Sequence, residues 1–142
     1  MPHHVQAGIR HAYDGRYLIL IKEPKSGANK EVMRLVTGGV EKNESNEHAL
    51  LREINEETGI PRGSIIYYKH LGHYNHPLFA YPVHYYAVET TSEGRTHGDD
   101  RERIKGFLWL KYEKALDDLS YRQEKDVLKE VEDHFQKLIL KI

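Results

Sequence analysis

The sequence predicts an α/β protein with a mixed β-sheet covered by helices on both faces. Three observations lead there. Extended and helical signals run in the order β-β-β-α-β-β-β-α-α, and one amphipathic helix interrupts the strands while two more follow them. The first two strand-like segments flank Asp14-Gly15, a hairpin signal that opens the domain with paired strands. At 142 residues the chain can bury a sizeable core with no cysteine to staple it, so residues 1–142 are expected to form one domain.

Residues 5–13 and 16–22 are strand-like, and Asp14-Gly15 between them is a two-residue hairpin signal. Residues 24–30 carry Pro, Ser, Gly and Asn and form a loop, followed by a short extended segment at 32–37. A helix capped by Ser45 or Asn46 runs to about Thr58, where Gly59 supplies the left-handed residue that ends it. Residues 61–64 make a turn, 65–74 and 83–90 are strands, and 75–82 join them through Pro77 and Pro82. The polar, glycine-bearing stretch 92–100 is a loop before a last short strand at 104–110. Residues 112–119 form a short helix. In the final helix, 122–140, Leu128, Val131, Phe135 and Leu138 recur at helical spacing as a core stripe.

Composition narrows the partners. With 21 basic and 22 acidic residues the formal net charge is -1, so there is no basic field of the kind that gathers nucleic acid polymers. No run of 18 apolar residues suits a membrane, and Met1-Pro2-His3-His4 lacks the regions of a signal peptide. The expectation is a soluble cytoplasmic protein acting on a small anionic ligand.

The chemistry concentrates in residues 38–60. Glu53, Glu56 and Glu57 stand at i, i+3 and i+4, which places three carboxylates on one helical face within about one turn. Such crowding is relieved by a divalent cation, and these hard oxygen donors suit Mg²⁺ or Mn²⁺. Leu50, Leu51 and Ile54 take another sector and can be buried. Arg52 precedes Glu56 by four residues and can aim its carboxylate. Gly38-Gly39 lets backbone approach a metal or phosphate closely.

The spacing Gly38, five residues, Glu44, seven residues, Arg52-Glu53-Ile54-Asn55-Glu56-Glu57-Thr58-Gly59-Ile60 fills every fixed position of G-x5-E-x7-R-E-U-x-E-E-x-G-U, with U aliphatic. In this the chain resembles the Nudix hydrolases. The resemblance implies a Nudix fold, an α/β/α sandwich, and hydrolysis of a diphosphate linkage in a nucleoside diphosphate joined to another group. It implies Glu56 and Glu57 as metal ligands, Glu53 as ligand and first choice for general base, and Glu44 as a further ligand or base. A backbone carbonyl at Thr37 or Gly38 completes the shell. A later loop acid often assists in this family; Glu102 is the candidate, with Glu93, Asp99 and Asp100 as rivals. Lys22, Lys25, Arg34 and Lys105 could reach phosphate oxygens. Tyr74, Phe79, Tyr81, Tyr85 and Tyr86 could stack on a base.

Val36-Thr37-Gly38 stands where many members have Pro-Gly-Gly, and Asn43 stands where a glycine is usual, tolerating the same left-handed backbone. Val-Thr-Gly is similar to the branch of dihydroneopterin triphosphate and deoxynucleoside triphosphate pyrophosphohydrolases. Trp109-Leu110 before Glu113-Lys114-Ala115-Leu116 is similar to nucleoside triphosphate and dinucleoside polyphosphate hydrolases. An ADP-ribose or nucleotide-sugar substrate stays open, since Pro77 lies close to the usual spacing after the box. A non-catalytic nucleotide sensor is the reading from another class. Family members are often homodimers. His70, His73 and His76 recur every third residue as in a zinc site, but a strand alternates every second residue and would not put all three on one face, so scattered surface or satisfied histidines are expected.

Overall fold

A computed structural model describes residues 3–24, 30–77, 80–95 and 103–141. Among them, seven strands make one mixed sheet: β1 (His4–His11), β2 (Tyr17–Lys22), β3 (Val32–Arg34), β4 (Val36–Gly39), β5 (Ile65–Asn75), β6 (Pro82–Thr90) and β7 (Ile104–Leu110). The helices are α1 (Asn46–Thr58), α2 (Tyr112–Asp118) and α3 (Arg122–Leu140). These bounds lie within a residue or two of those the sequence predicts, except that the single extended segment expected at 32–37 is two strands, β3 and β4, with different partners.

The opening hairpin is not the two-residue turn expected of Asp14-Gly15. The one registered β1–β2 pair is Arg10 with Tyr17, and Gly15, at φ 75°, closes a wider turn by donating to the His11 carbonyl. Asp14 is diverted from the turn by Arg16, which donates to it from the backbone at 3.0 Å and from Nε at 2.6 Å. From there the two strands diverge like a fork. Residues 32–39 fill the opening, with β3 pairing Leu20 to Lys22 of β2 and β4 pairing His4 to Ala7 of β1. Leu35 sits where the pairing changes partner, and its N–H donates at 2.8 Å to Glu124 Oε1 on α3. A buried backbone donor at a ladder break needs such a partner.

On its other side β1 runs parallel to β6 in unbroken register from His4–Val83 to His11–Thr90. The remaining pairs are antiparallel, with β5 beyond β6 and β7 beside β2.

Alternation along the strands builds two cores. Val5, Ala7 and Ile9 of β1, Leu18 and Leu20 of β2, and Tyr86 and Val88 of β6 pack with Ala49, Leu50 and Ile54 of α1. Tyr17, Ile19, Tyr85 and Ala87 face the other way, against Ala115 of α2 and Val127, Leu128, Val131 and Phe135 of α3. Each fully buried Leu or Ile contributes roughly 1.5–3 kcal/mol, so Leu50 and Ile54 suffice to seat α1 on its face. Gly8 brings α3 close: a Cβ there would meet Val131 Cγ2 at 2.8 Å. The result is a helix, sheet, helix sandwich. No helix among the described residues is long and apolar enough to cross a membrane.

Candidate active site

Local chemistry fixes the box helix at both ends. Ser45 is the N-cap and accepts from His48 N–H at 3.1 Å. Before it, Asn43 takes the left-handed backbone at φ 65°, as its side chain allows. At the other end Gly59, at φ 73°, donates to the Asn55 carbonyl at 2.8 Å. Arg95 N–H donates to the Thr58 carbonyl at 2.7 Å, so the chain after β6 is tied to the end of α1.

Arg52 is the hub of the site. Its Nε and Nη2 donate to the two oxygens of Glu44 at 2.7 and 2.8 Å, and Nη2 also donates to the Gly39 carbonyl at 2.9 Å. Its Nη1 donates to Glu53 at 2.9 Å and Glu56 at 3.3 Å, with Glu41 at 3.7 Å. The sequence suggests Glu56 as the partner of Arg52; Glu44 is the closer, two-oxygen one. Glu44 also takes His48 Nδ1 at 2.6 Å and the Glu41 N–H at 3.0 Å. These donors, Arg52 first, hold the Glu44 carboxyl far below the usual carboxylate range, and the carboxylates beside Arg52 raise its own pKa.

One guanidinium against Glu41, Glu44, Glu53 and Glu56 leaves local negative charge in excess. Glu57 adds to it, and its side chain is buried on α1. Glu53 lies over Gly38 so closely that a Cβ on that glycine would fall inside the carboxylate. Glu56 is the open member, with 43% of its side chain exposed against 12% for Glu53. As they stand, no three acidic or imidazole groups among the described residues converge on a point that would hold an ion, because Arg52 draws oxygens of Glu44, Glu53 and Glu56 to itself. The donor set nevertheless fits a hard divalent cation: carboxylate oxygens, surplus negative charge and bare glycine backbone at the same spot.

The other predicted contacts divide into groups. Arg34, Tyr74 and Tyr81 come together on the sheet face opposite α1. Arg34 donates twice to Glu124, at 2.5 and 2.9 Å, and lies 5.1 Å over the Tyr121 ring. Tyr74 donates to Gln6 at 3.1 Å, and burial pushes its hydroxyl up to about 12. Tyr81 stacks on His4 at 4.0 Å between ring centroids. Lys105 is elsewhere, paired at 2.6 Å with Glu31, and Lys22 closes β2. Tyr85 and Tyr86 belong to the two cores, and Glu93 pairs with Arg16 at 3.3 Å. Glu102, Asp99, Asp100, Lys25 and Phe79 lie outside the described residues.

Some residues were not anticipated. Gln6 is buried and donates to Thr37 Oγ1 at 2.7 Å, steadying the residue before Gly38. Glu124 anchors Arg34 and Leu35. It had a signal, since it sits one turn before Val127 and Leu128 on the apolar stripe of α3. The three histidines do not share one face, as expected, and no three such groups among the described residues converge, but two of them do meet. A register shift between His70 and Gly72 brings both His70 and His73 beside His84, at 5.3 and 5.4 Å between ring centroids. Only His76 goes elsewhere, next to Tyr81.

The model of the NUDIX domain matches residues 2–131. The chain belongs to the Nudix family. It is thereby a hydrolase of phosphoric anhydrides, and its sandwich is the Nudix fold. An Ap4A hydrolase from C. elegans is similar at 16% identity and a TM-score of 0.71, over 98% of this chain and 99% of that one. A MutT protein, described from Aliivibrio salmonicida and Vibrio cholerae, is similar at 24% identity and 0.64, over 92% and 95%. The dihydroneopterin triphosphate pyrophosphohydrolase of E. coli is similar at 16% identity and 0.64, over 89% and 92%. No curated protein matches the sequence.

Proposed function

We propose that this Nudix protein is a divalent-metal-dependent pyrophosphohydrolase of (deoxy)nucleoside triphosphates or dinucleoside polyphosphates, working in the cytoplasm. The observation that carries the reading is the stacking of Glu53 on Gly38 beside an Arg52 hub whose surrounding carboxylates outnumber its charge. Glu53, Glu56 and Glu57 would hold Mg²⁺ or Mn²⁺ with the Gly38 carbonyl. When bound, such an ion neutralises phosphate oxygens and lowers the pKa of a water.

The chain's own residues do the rest. Glu53 takes the proton of the attacking water; the new bond forms at phosphorus, and the anhydride P–O bond breaks with its electrons leaving on the departing phosphate. Arg52 aims Glu53 and Glu56. Glu44 is assigned to holding Arg52 and not to proton transfer, because both its oxygens are already taken by Arg52, His48 and the Glu41 N–H.

Arg34 and Lys105 are each engaged by an acid, so they offer little free charge to a phosphate chain. Tyr74 is linked to Thr37, the residue before Gly38, through Gln6, which makes it a candidate aromatic contact for a base. The named neighbours that act on Ap4A and dihydroneopterin triphosphate share this architecture, which supports the substrate class; ADP-ribose and nucleotide sugars are the alternative. The test is phosphate release across nucleoside triphosphates, dinucleoside polyphosphates, ADP-ribose and dihydroneopterin triphosphate with Mg²⁺, with Glu57→Gln as control. Turnover of one class, lost in the control, supports the reading. Nucleotide binding without turnover of any of them overturns it.

A further inference from the structure

The β5–β6 edge carries imidazoles that the carboxylate site does not use. His73 stands directly across from His84, and the register shift at residues 70–72 brings His70 to the same neighbour. His84 is thus a centre, with His70 at 5.3 Å, His73 at 5.4 Å and His3 at 5.7 Å between ring centroids. His70 Nε2 and His84 Nδ1 share a hydrogen bond at 3.1 Å, one ring nitrogen donating and the other accepting. Two nitrogens on one tetrahedral ion, each at about 2.0 Å, would stand about 3.3 Å apart. An ion that takes the place of the shared proton, with the donor ring passing to its other tautomer, would find the pair at nearly the bite of a chelate, and its members come from neighbouring strands, β5 and β6.

We propose that His70 and His84 form a two-imidazole clamp for a borderline-soft divalent ion of the Zn²⁺ class, separate from the carboxylate site. The clamp is bidentate as it stands, since no three such side chains among the described residues converge. Water completes the coordination, and His73 becomes a third ligand on rotating its side chain. His3 is held out of reach by Asn46, whose Oδ1 lies 2.6 Å from its Nε2. The His70 ring also stands edge-to-face with Tyr86, at 5.2 Å between centroids. His70 is exposed and His84 partly so, which leaves an entry path. Donor chemistry separates the two sites: imidazole nitrogen favours Zn²⁺, Ni²⁺ or Cu²⁺, whereas carboxylate oxygens suit Mg²⁺ and Mn²⁺.

The experiment is Zn²⁺ titration of the full chain in millimolar-class Mg²⁺, read by calorimetry and by the ring ¹⁵N resonances of the histidines. One Zn²⁺ is expected per chain, with the His70 and His84 nitrogens shifting together. His70→Ala and His84→Ala should each weaken binding at least tenfold, and Glu57→Gln should leave it unchanged. His70 is solvent-exposed, so its variant keeps the fold even where His84→Ala does not. Zn²⁺ affinity unaltered in His70→Ala, or lost in Glu57→Gln alone, overturns the clamp.

Discussion

Arg52 and Glu44, eight residues apart, meet through two parallel hydrogen bonds at 2.7 and 2.8 Å, one to each carboxylate oxygen. This geometry joins the loop before α1 to the middle of the helix. Because Arg52 also holds the Gly39 carbonyl, the loop, the helix and the end of β4 are fixed by one planar group.

Arg52→Lys keeps the charge and loses the fork, so it cannot hold Glu44, Gly39 and Glu53 together. The Mg²⁺ concentration giving half-maximal activity is expected to rise by about 10- to 100-fold, the range for losing a group that aims metal ligands. An unchanged activation curve would show that the carboxylates are aimed without Arg52.

Glu53→Gln is expected to lower kcat by about 10²- to 10⁴-fold with the fold intact, as for a lost general base. Glu44→Gln acts through Arg52 and should cost less, with its effect concentrated in metal dependence. Equal losses in kcat from both variants would return Glu44 to the chemistry.

Gly38→Ala places a methyl where the Glu53 carboxylate rests. The flexible end of Glu53 can swing aside, so the melting temperature should hold while turnover falls by about the same factor as for Glu53→Gln. A large drop in melting temperature would show instead that the backbone moved.

Glu124→Ala leaves Arg34 and the Leu35 N–H without their buried acceptor. Urea denaturation should show a loss of about 3 kcal/mol, the lower end for breaking a buried pair, because Arg34 is partly solvated. A loss well under about 1 kcal/mol, the scale of a surface pair, would place that pair in solvent.

Alkaline pH offers a separate test. Burial raises Tyr74 and Tyr85 to about 12, and Tyr17 is raised by burial and by donating to Glu132. A tyrosine raised in the folded state contributes stability that is complete below its unfolded value near 10 and fades as pH climbs from there toward 12. The urea midpoint should therefore be flat up to about pH 9 and fall above 10. A midpoint insensitive to pH 11 would mean that these hydroxyls ionise as freely in the fold as out of it.

The parts of the site legible in the sequence are those set by local spacing. Ser45, Asn43 and Gly59 declare the ends of α1, and the i to i+4 rule puts the box carboxylates on one turn. What escaped depends on partners far along the chain. Nothing local says that β1 meets β2 only at Arg10 and gives residues 4–7 to β4, or that it lies parallel to β6. A strict period of two puts His70 and His73 on opposite faces, and only the extra residue inserted between His70 and Gly72 brings them to the same one. Glu124 could have been noticed, since an acid on an apolar stripe needs a buried partner, but only the fold names Arg34 and Leu35.

The forked start of the sheet also bears on how the protein comes into being. β1 is held on one edge by the strand that carries Gly38 and on the other by β6, from the second half of the chain. During synthesis the whole box emerges while one flank of β1 is still bare. Competence for chemistry is therefore reached late, after the segment around residue 90 has left the ribosome, and a truncated product bearing every box residue would be inert.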